Sequence, residues 1–71
     1  MFGICNLSIV PIRKNGDNKS EMISQLLYRD IYEVIKKERM AFNIVVFDNY
    51  QGWIEKNQFI EIKSDQLFKE L

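Results

Sequence analysis

The sequence predicts an all-β domain, a small barrel or sandwich of about five or six short strands. Three observations lead there. Segments rich in β-branched and aromatic residues recur at short spacing, as in "LSIVPI", "AFNIVVF" and "GWI". Turn signals stand between them, in "RKNGDNKS", "DNYQ" and "EKNQ". The chain has 71 residues, enough for one domain whose core contributes only a few kcal/mol net, on the order of 3–5.

The first strand is expected over Ile4 to Ile12, where Cys5, Leu7 and Ile9 alternate with Asn6 and Ser8 in the manner of a half-buried strand. Pro11 has no amide to donate to a ladder, so the strand ends or bulges there and lies near an edge. Residues 13–20 read as one long polar loop with Asn15-Gly16-Asp17 as its turn.

The middle segment admits two readings. As an amphipathic helix of about five turns, capped by Ser20, it places Ile23, Leu27, Ile31 and Val34 on one face, with Met22, Leu26 and Ile35 beside it. As two strands, Met22 to Tyr28 and Ile31 to Lys37, it turns at Arg29-Asp30. Tyr32 and Val34 then share one face, and Ile31, Glu33 and Ile35 share the other. Local periodicity favours the helix slightly.

The last third is plainer. Ala41 to Phe47 is a strand, "DNYQ" a turn, and Gly52-Trp53-Ile54 opens the next strand. "EKNQ" is a short polar turn, and "FIEIK" closes by alternating Phe59 and Glu61 with Ile60 and Ile62. The tail "SDQLFKEL" has a helix start at Ser64 but is too short to be a stable helix in isolation. Residues 1–63 are therefore read as the domain, and residues 64–71 as a tail or linker toward a downstream domain.

Composition excludes several function classes. Hydrophobic content of 46% and aromatic content of 13% argue against disorder. Ten basic and ten acidic side chains cancel, so no global field favours nucleic acid or an anionic membrane. No stretch approaches the ~20 apolar residues of a membrane span. Cys5 is the single cysteine, which rules out an internal disulfide. Histidine is absent, and with it any Ser-His or Cys-His pair and any imidazole for zinc. No cofactor or metal is expected, and this chain is not expected to be an enzyme. The start "MFGICNLSIVP" lacks the marks of a signal peptide. As written the chain is expected in the cytoplasm, or in the cell envelope if a leader was removed.

"GICNLSIVPIRK", "SEMISQLLY", "YEVI" and "DNYQGWIEKNQF", in that order, carry a resemblance. Together they look like the bacterial SH3-type (SH3b) domain, in the version found in front of NlpC-type cysteine peptidases that cut cell-wall stem peptides. The resemblance spans about residues 3–62. It implies an SH3-like barrel of about five to seven short strands, and so favours two strands over a helix in the middle segment; the tight spacing of the other strands points the same way. The sequence departs from the family at two places. Arg29-Asp30 stands where a turn glycine is usual, which costs on the order of 1 kcal/mol if the backbone there is left-handed. Phe42 stands at or near a position where the family tends to have tryptophan. The catalytic residues of such peptidases lie in a domain absent from these 71 residues.

By this resemblance the chain is a non-catalytic module whose partners are a downstream or partner peptidase domain and the murein stem peptide, with no nucleic acid and no membrane. The residues singled out for ligand binding are Asp48, Asn49, Tyr50 and Trp53. Trp53 reads first as a core anchor, with part of its ring lining a groove as the functional alternative. Asp48 and Asn49 read as turn chemistry, or as neighbours of an exposed Tyr50 that stacks on a peptide while Asp48 pairs with its free amine. Cys5 reads as a small hydrophobe. Lys14, Lys19, Lys36, Lys37 and Arg39 read as a solvated surface. A stand-alone interaction or structural domain is the rival reading.

Overall fold

The structure is a computed structural model that describes residues 1–17, 20–46, 50–63 and Asp65. Among them the chain forms strands β1 (Phe2–Ile4), β2 (Ile9–Arg13), β3 (Met22–Leu27), β4 (Ile31–Lys37), β5 (Ala41–Val46), β6 (Gln51–Glu55) and β7 (Glu61–Ile62). A single 3-10 turn, Lys56–Gln58, stands between the last two. The strands form one sheet in the order β3-β2-β6-β5-β4-β1-β7, and every neighbouring pair is antiparallel. The fold is all-β, as the sequence predicts, and the middle segment is two strands.

That order forces the sheet to roll. β3 and β4 stand four places apart, about 19 Å across a flat sheet at the usual strand spacing of about 4.8 Å. Yet only Tyr28, Arg29 and Asp30 join them, and an extended chain of four steps reaches at most about 14 Å. The link is shorter still, because the Asp30 amide donates to the Leu27 carbonyl at 3.0 Å in a tight turn. The sheet therefore curls until β3 and β4 approach at one end. No ladder joins them among the described residues, so the roll stays open along a β3–β4 seam.

The turn is pinned to the far side of the sheet. Cys5 donates its amide to the Asp30 carbonyl at 2.9 Å, and its own carbonyl accepts the Arg29 amide at 2.7 Å. Arg29 adopts φ 73°, the left-handed region that favours glycine. The backbone conformation that the missing glycine raised in the sequence is thus the one the turn uses.

The same pinning breaks the expected first strand. Residues Ile4 to Ile12 are not one strand: β1 pairs with β4 and β7, whereas β2 pairs with β3 and β6. The crossing at Cys5 to Ser8 shifts the alternation, so Leu7 and Ile9 are 45% and 53% exposed while Val10 and Ile12 go inside. Pro11 sits inside β2, paired with Gln25 of β3; on the other side of β2 the ladder to β6 holds only Arg13–Trp53, so few hydrogen bonds there call for an amide. At the other end the expected alternation of "FIEIK" also fails. Ile62 is buried and Phe59 packs on the core, but Ile60 is exposed, because the 3-10 turn resets the chain direction before β7.

The core lies inside the roll: Cys5, Val10, Ile12, Leu26, Tyr32, Phe42, Ile44 and Ile54, with Val34, Val46 and Phe59 packed against it. Phe42 and Phe59 meet at 5.2 Å between ring centroids, and Tyr32 meets Phe59 edge-on at 6.3 Å. Tyr32 covers Gly3, where a β-carbon would lie 2.5 Å from the ring. Its hydroxyl is buried, and no hydrogen bond within the usual distance and angle limits satisfies it among the described residues. Burial pushes the phenol up to about 12, a rise that the nearby Ile60 backbone opposes and Cys5 adds to.

Candidate functional site: the seam cleft

Where the roll stays open, a cleft of about 240 Å³ forms, lined by Ile12, Ser24, Gln25, Asp30, Ile31, Val46 and Tyr50. Each strand beside the seam contributes. Ile12 comes from β2, Ser24 and Gln25 from β3, Ile31 from the start of β4, and Val46 from the end of β5. Tyr50 enters just before β6, where its carbonyl accepts the Val46 amide at 2.9 Å and brackets the β5–β6 connection. Its side chain is 53% exposed, as an aromatic contact residue needs to be. The result is an apolar base of Ile12, Ile31 and Val46 with a rim of hydroxyl, amide and carboxylate groups. Such a mixture suits a small ligand with an apolar body and polar ends.

Among the described residues, Asp30 is the one charged residue lining this cleft. Its carboxylate accepts the Leu27 amide at 2.8 Å through Oδ2. Together with the Asp30 amide and carbonyl bonds of the turn, this fixes the residue from three sides.

Trp53 belongs to a different surface. It lies across β6 from the core residues Gly52 and Ile54, paired with Arg13 on one side and Asn43 on the other. It is partly buried rather than a member of the core cluster. The "NGD" turn folds over it, so that a β-carbon on Gly16 would stand 3.5 Å from the Trp53 ring and 3.6 Å from Ala41. Beside it Asn43 is buried, donating to the Gly52 carbonyl at 3.2 Å and accepting from Gln51 at 3.0 Å. A wider groove of about 600 Å³ runs past this loop, lined by Gly16, Asp17, Arg39, Met40, Glu55, Lys56 and Asn57.

Of the residues the sequence marks for ligand binding, Tyr50 lines the seam cleft and Trp53 lies under the β2–β3 loop. Among the described residues, Tyr50 and Trp53 line different cavities. Asp48 and Asn49 lie outside the described residues. Ser24, Gln25 and Asp30 were not singled out by the sequence reading. They sit far from Tyr50 in the chain, and nothing in the stretches that contain them points to ligand binding.

The remaining reactive groups are placed as follows. Cys5 is 1% exposed and donates its thiol to the Leu7 carbonyl at 3.2 Å. Lys36 pairs with Glu38 at 3.4 Å, and Lys37 lies over the Phe42 ring at 5.5 Å. Among the described residues no group of three or more Cys, Asp or Glu side chains is arranged to hold a metal. No helix there is long and apolar enough to cross a membrane. No family model matches the chain, and no curated protein matches it.

Proposed function

We propose that the chain is a non-catalytic, SH3-type binding module that takes a short peptide at the seam cleft, and that its ligand is the murein stem peptide of a cell-wall cysteine peptidase. The observation that carries this reading is the half-exposed Tyr50 on the rim of a cleft with an apolar base. Two further points support it. The chain has no histidine to serve as an acid–base partner, and its one thiol is sealed in the core. The motifs behind the resemblance also meet at the site, since "LSIVPIR" supplies Ile12 and "SEMISQLLY" supplies Ser24 and Gln25, while "DNYQGWI" supplies Tyr50. In this role the module positions peptide beside a catalytic domain that lies in another part of the parent protein or in a partner.

Chemical-shift titration of the isotope-labelled chain with L-Ala-γ-D-Glu tests the reading. Shifts concentrated at Ser24, Gln25, Ile31 and Tyr50 are expected, with weak affinity because only one wall of the pocket is present. A titration that leaves all four unmoved refutes it.

A second reading, a protein-interaction domain, draws on exposed apolar side chains of β2 and β3. Ile9 and Leu27 are cross-strand partners, each about half exposed, with exposed Leu7 and Tyr28 nearby in sequence. Solvent-facing apolar pairs of this kind mark docking surfaces. Protection of these side chains by a partner domain, with no response to the dipeptide at Tyr50, favours this alternative.

A further inference from the structure

We propose that Asn15-Gly16 is a site of spontaneous deamidation whose product lifts the β2–β3 loop off Trp53; the inference is independent of the peptide-binding reading. Asparagine is chemically labile, and Asn15 is the one asparagine of this chain that precedes a glycine. A glycine amide has no side chain to shield it. It is therefore the backbone nitrogen best able to attack the carboxamide carbon of the residue before it.

Folding does not account for that glycine. Gly3 and Gly52 sit where a β-carbon would collide with Tyr32 and Ile12. Gly16 has no positive φ, and a β-carbon on it would meet only ordinary contacts, 3.5 Å from the Trp53 ring and 3.6 Å from Ala41. An alanine would fit. What glycine alone supplies at this position is an open amide.

The loop leaves the reacting groups unengaged. Asn15 and Gly16 are exposed. The Ser20 hydroxyl accepts the Asn15 amide at 3.2 Å and donates to the Asn15 carbonyl at 3.0 Å, so it holds the main chain of Asn15 and not its side chain. Among the described residues, no hydrogen bond engages the Asn15 carboxamide or the Gly16 amide. Ser20 is a brake on the reaction, because ring closure must turn the carbonyl that its hydroxyl holds.

The reaction balances with water as its only co-reactant. The Gly16 nitrogen loses its proton to hydroxide and bonds to Asn15 Cγ, and the Cγ–Nδ2 bond breaks to release ammonia. Water then opens the cyclic imide. Breaking its bond to Cγ gives aspartate, and breaking its bond to the main-chain carbonyl gives isoaspartate, which lengthens the backbone by one carbon. Either product adds a carboxylate that is ionised at neutral pH. It stands next to Asp17 and close to Glu38, whose Oε1 would be 3.6 Å from a β-carbon on Gly16, and like charges so near repel. Repulsion and the longer backbone both move Gly16 away from the Trp53 ring. The groove of about 600 Å³ that Gly16 and Asp17 line is reshaped with it.

The test incubates the 71-residue chain at mildly alkaline pH. Peptide mapping by mass spectrometry, acrylamide quenching of Trp53 fluorescence and circular dichroism are followed in parallel. Conversion at residue 15 is expected to outrun that at every other asparagine, with quenching of Trp53 rising in step while the β-sheet spectrum persists. Gly16→Ala is expected to keep the native Tm and slow the conversion several-fold, whereas Ser20→Ala quickens it. No conversion at residue 15 in the folded native chain, or an equal rate in Gly16→Ala, overturns the site. Conversion with unchanged quenching overturns the lifting of the loop, and an unchanged rate in Ser20→Ala overturns the brake. The site and the loop movement are both read on the native chain, so they are decided even if a variant folds poorly.

Discussion

The α-carbon of Gly52 lies directly against the side chain of Ile12, so a β-carbon there would overlap Ile12 Cγ2 and stand 3.0 Å from the Arg13 carbonyl. This is why a glycine precedes the chain's only tryptophan. β6 must pass close beneath β2 at the one place where their ladder holds, Arg13–Trp53. We expect Gly52→Ala to destabilise the domain by about 1–3 kcal/mol through overpacking. In thermal unfolding, each lost kcal/mol lowers Tm by roughly 4–8 °C for a domain of this size. An unchanged Tm contradicts the close approach.

Arg29 provides the opposite case. It holds φ 73° without being glycine, at a cost of roughly 1–2 kcal/mol. Arg29→Gly removes that strain and loses some of the gain to unfolded-state entropy. A net stabilisation of about 0.5–1 kcal/mol is expected by urea unfolding, whereas Arg29→Ala, which keeps the strain, gives no gain. Equal stability of the two variants contradicts the left-handed turn.

Tyr32 gives the domain an alkaline dependence. Its phenol is raised from 10.0 to about 12 in the folded chain, so above pH 10 the unfolded state releases a proton that the folded state keeps. Stability from this group is therefore intact below pH 10 and falls as pH rises toward 12, by on the order of 2 kcal/mol. Tyr32→Phe removes both this slope and a buried hydroxyl that has no partner among the described residues. At pH 7 the variant is expected to be as stable as the native chain or slightly more so. The difference between the two proteins across pH 9–12 isolates the effect from other titrating groups.

Ile44 is 0% exposed at the centre of the core. Truncation to alanine is expected to cost about 2–5 kcal/mol, comparable with all the net stability such a small core supplies. Circular dichroism at 25 °C should show a largely unfolded Ile44→Ala chain, and a native spectrum with an unshifted Tm contradicts the placement of this residue.

What could be read from the sequence was what depends on near neighbours. Ala41–Val46 and Gln51–Glu55 announce themselves by β-branched content and flanking polar turns. β3 and β4 do not, because residues 22–37 satisfy a helical period as well as a strand period; their local pattern leaves both open, and the packing of Leu26, Tyr32 and Val34 on the rolled core shows why strands prevail. The break between β1 and β2 was illegible because its cause is remote. Cys5 leaves the strand to bond with a turn at Arg29 and Asp30, and alternation read from Ile4 to Ile12 carries no trace of that. The candidate site was half legible. Tyr50 stands out as an aromatic beside a turn, but Ser24, Gln25 and Asp30 acquire a shared cleft only when the seam forms.

The roll of the sheet around the Tyr28–Asp30 link underlies the cleft and the function proposed for it, and hydrogen exchange with nuclear Overhauser contacts tests it most directly. The Cys5 and Arg29 amides should exchange as slowly as those of β5, with cross-strand contacts Gly3–Tyr32 and Ile12–Ser24 seen in one molecule. Rapid exchange at both amides, or helical contacts running unbroken from Met22 to Lys37, would contradict it.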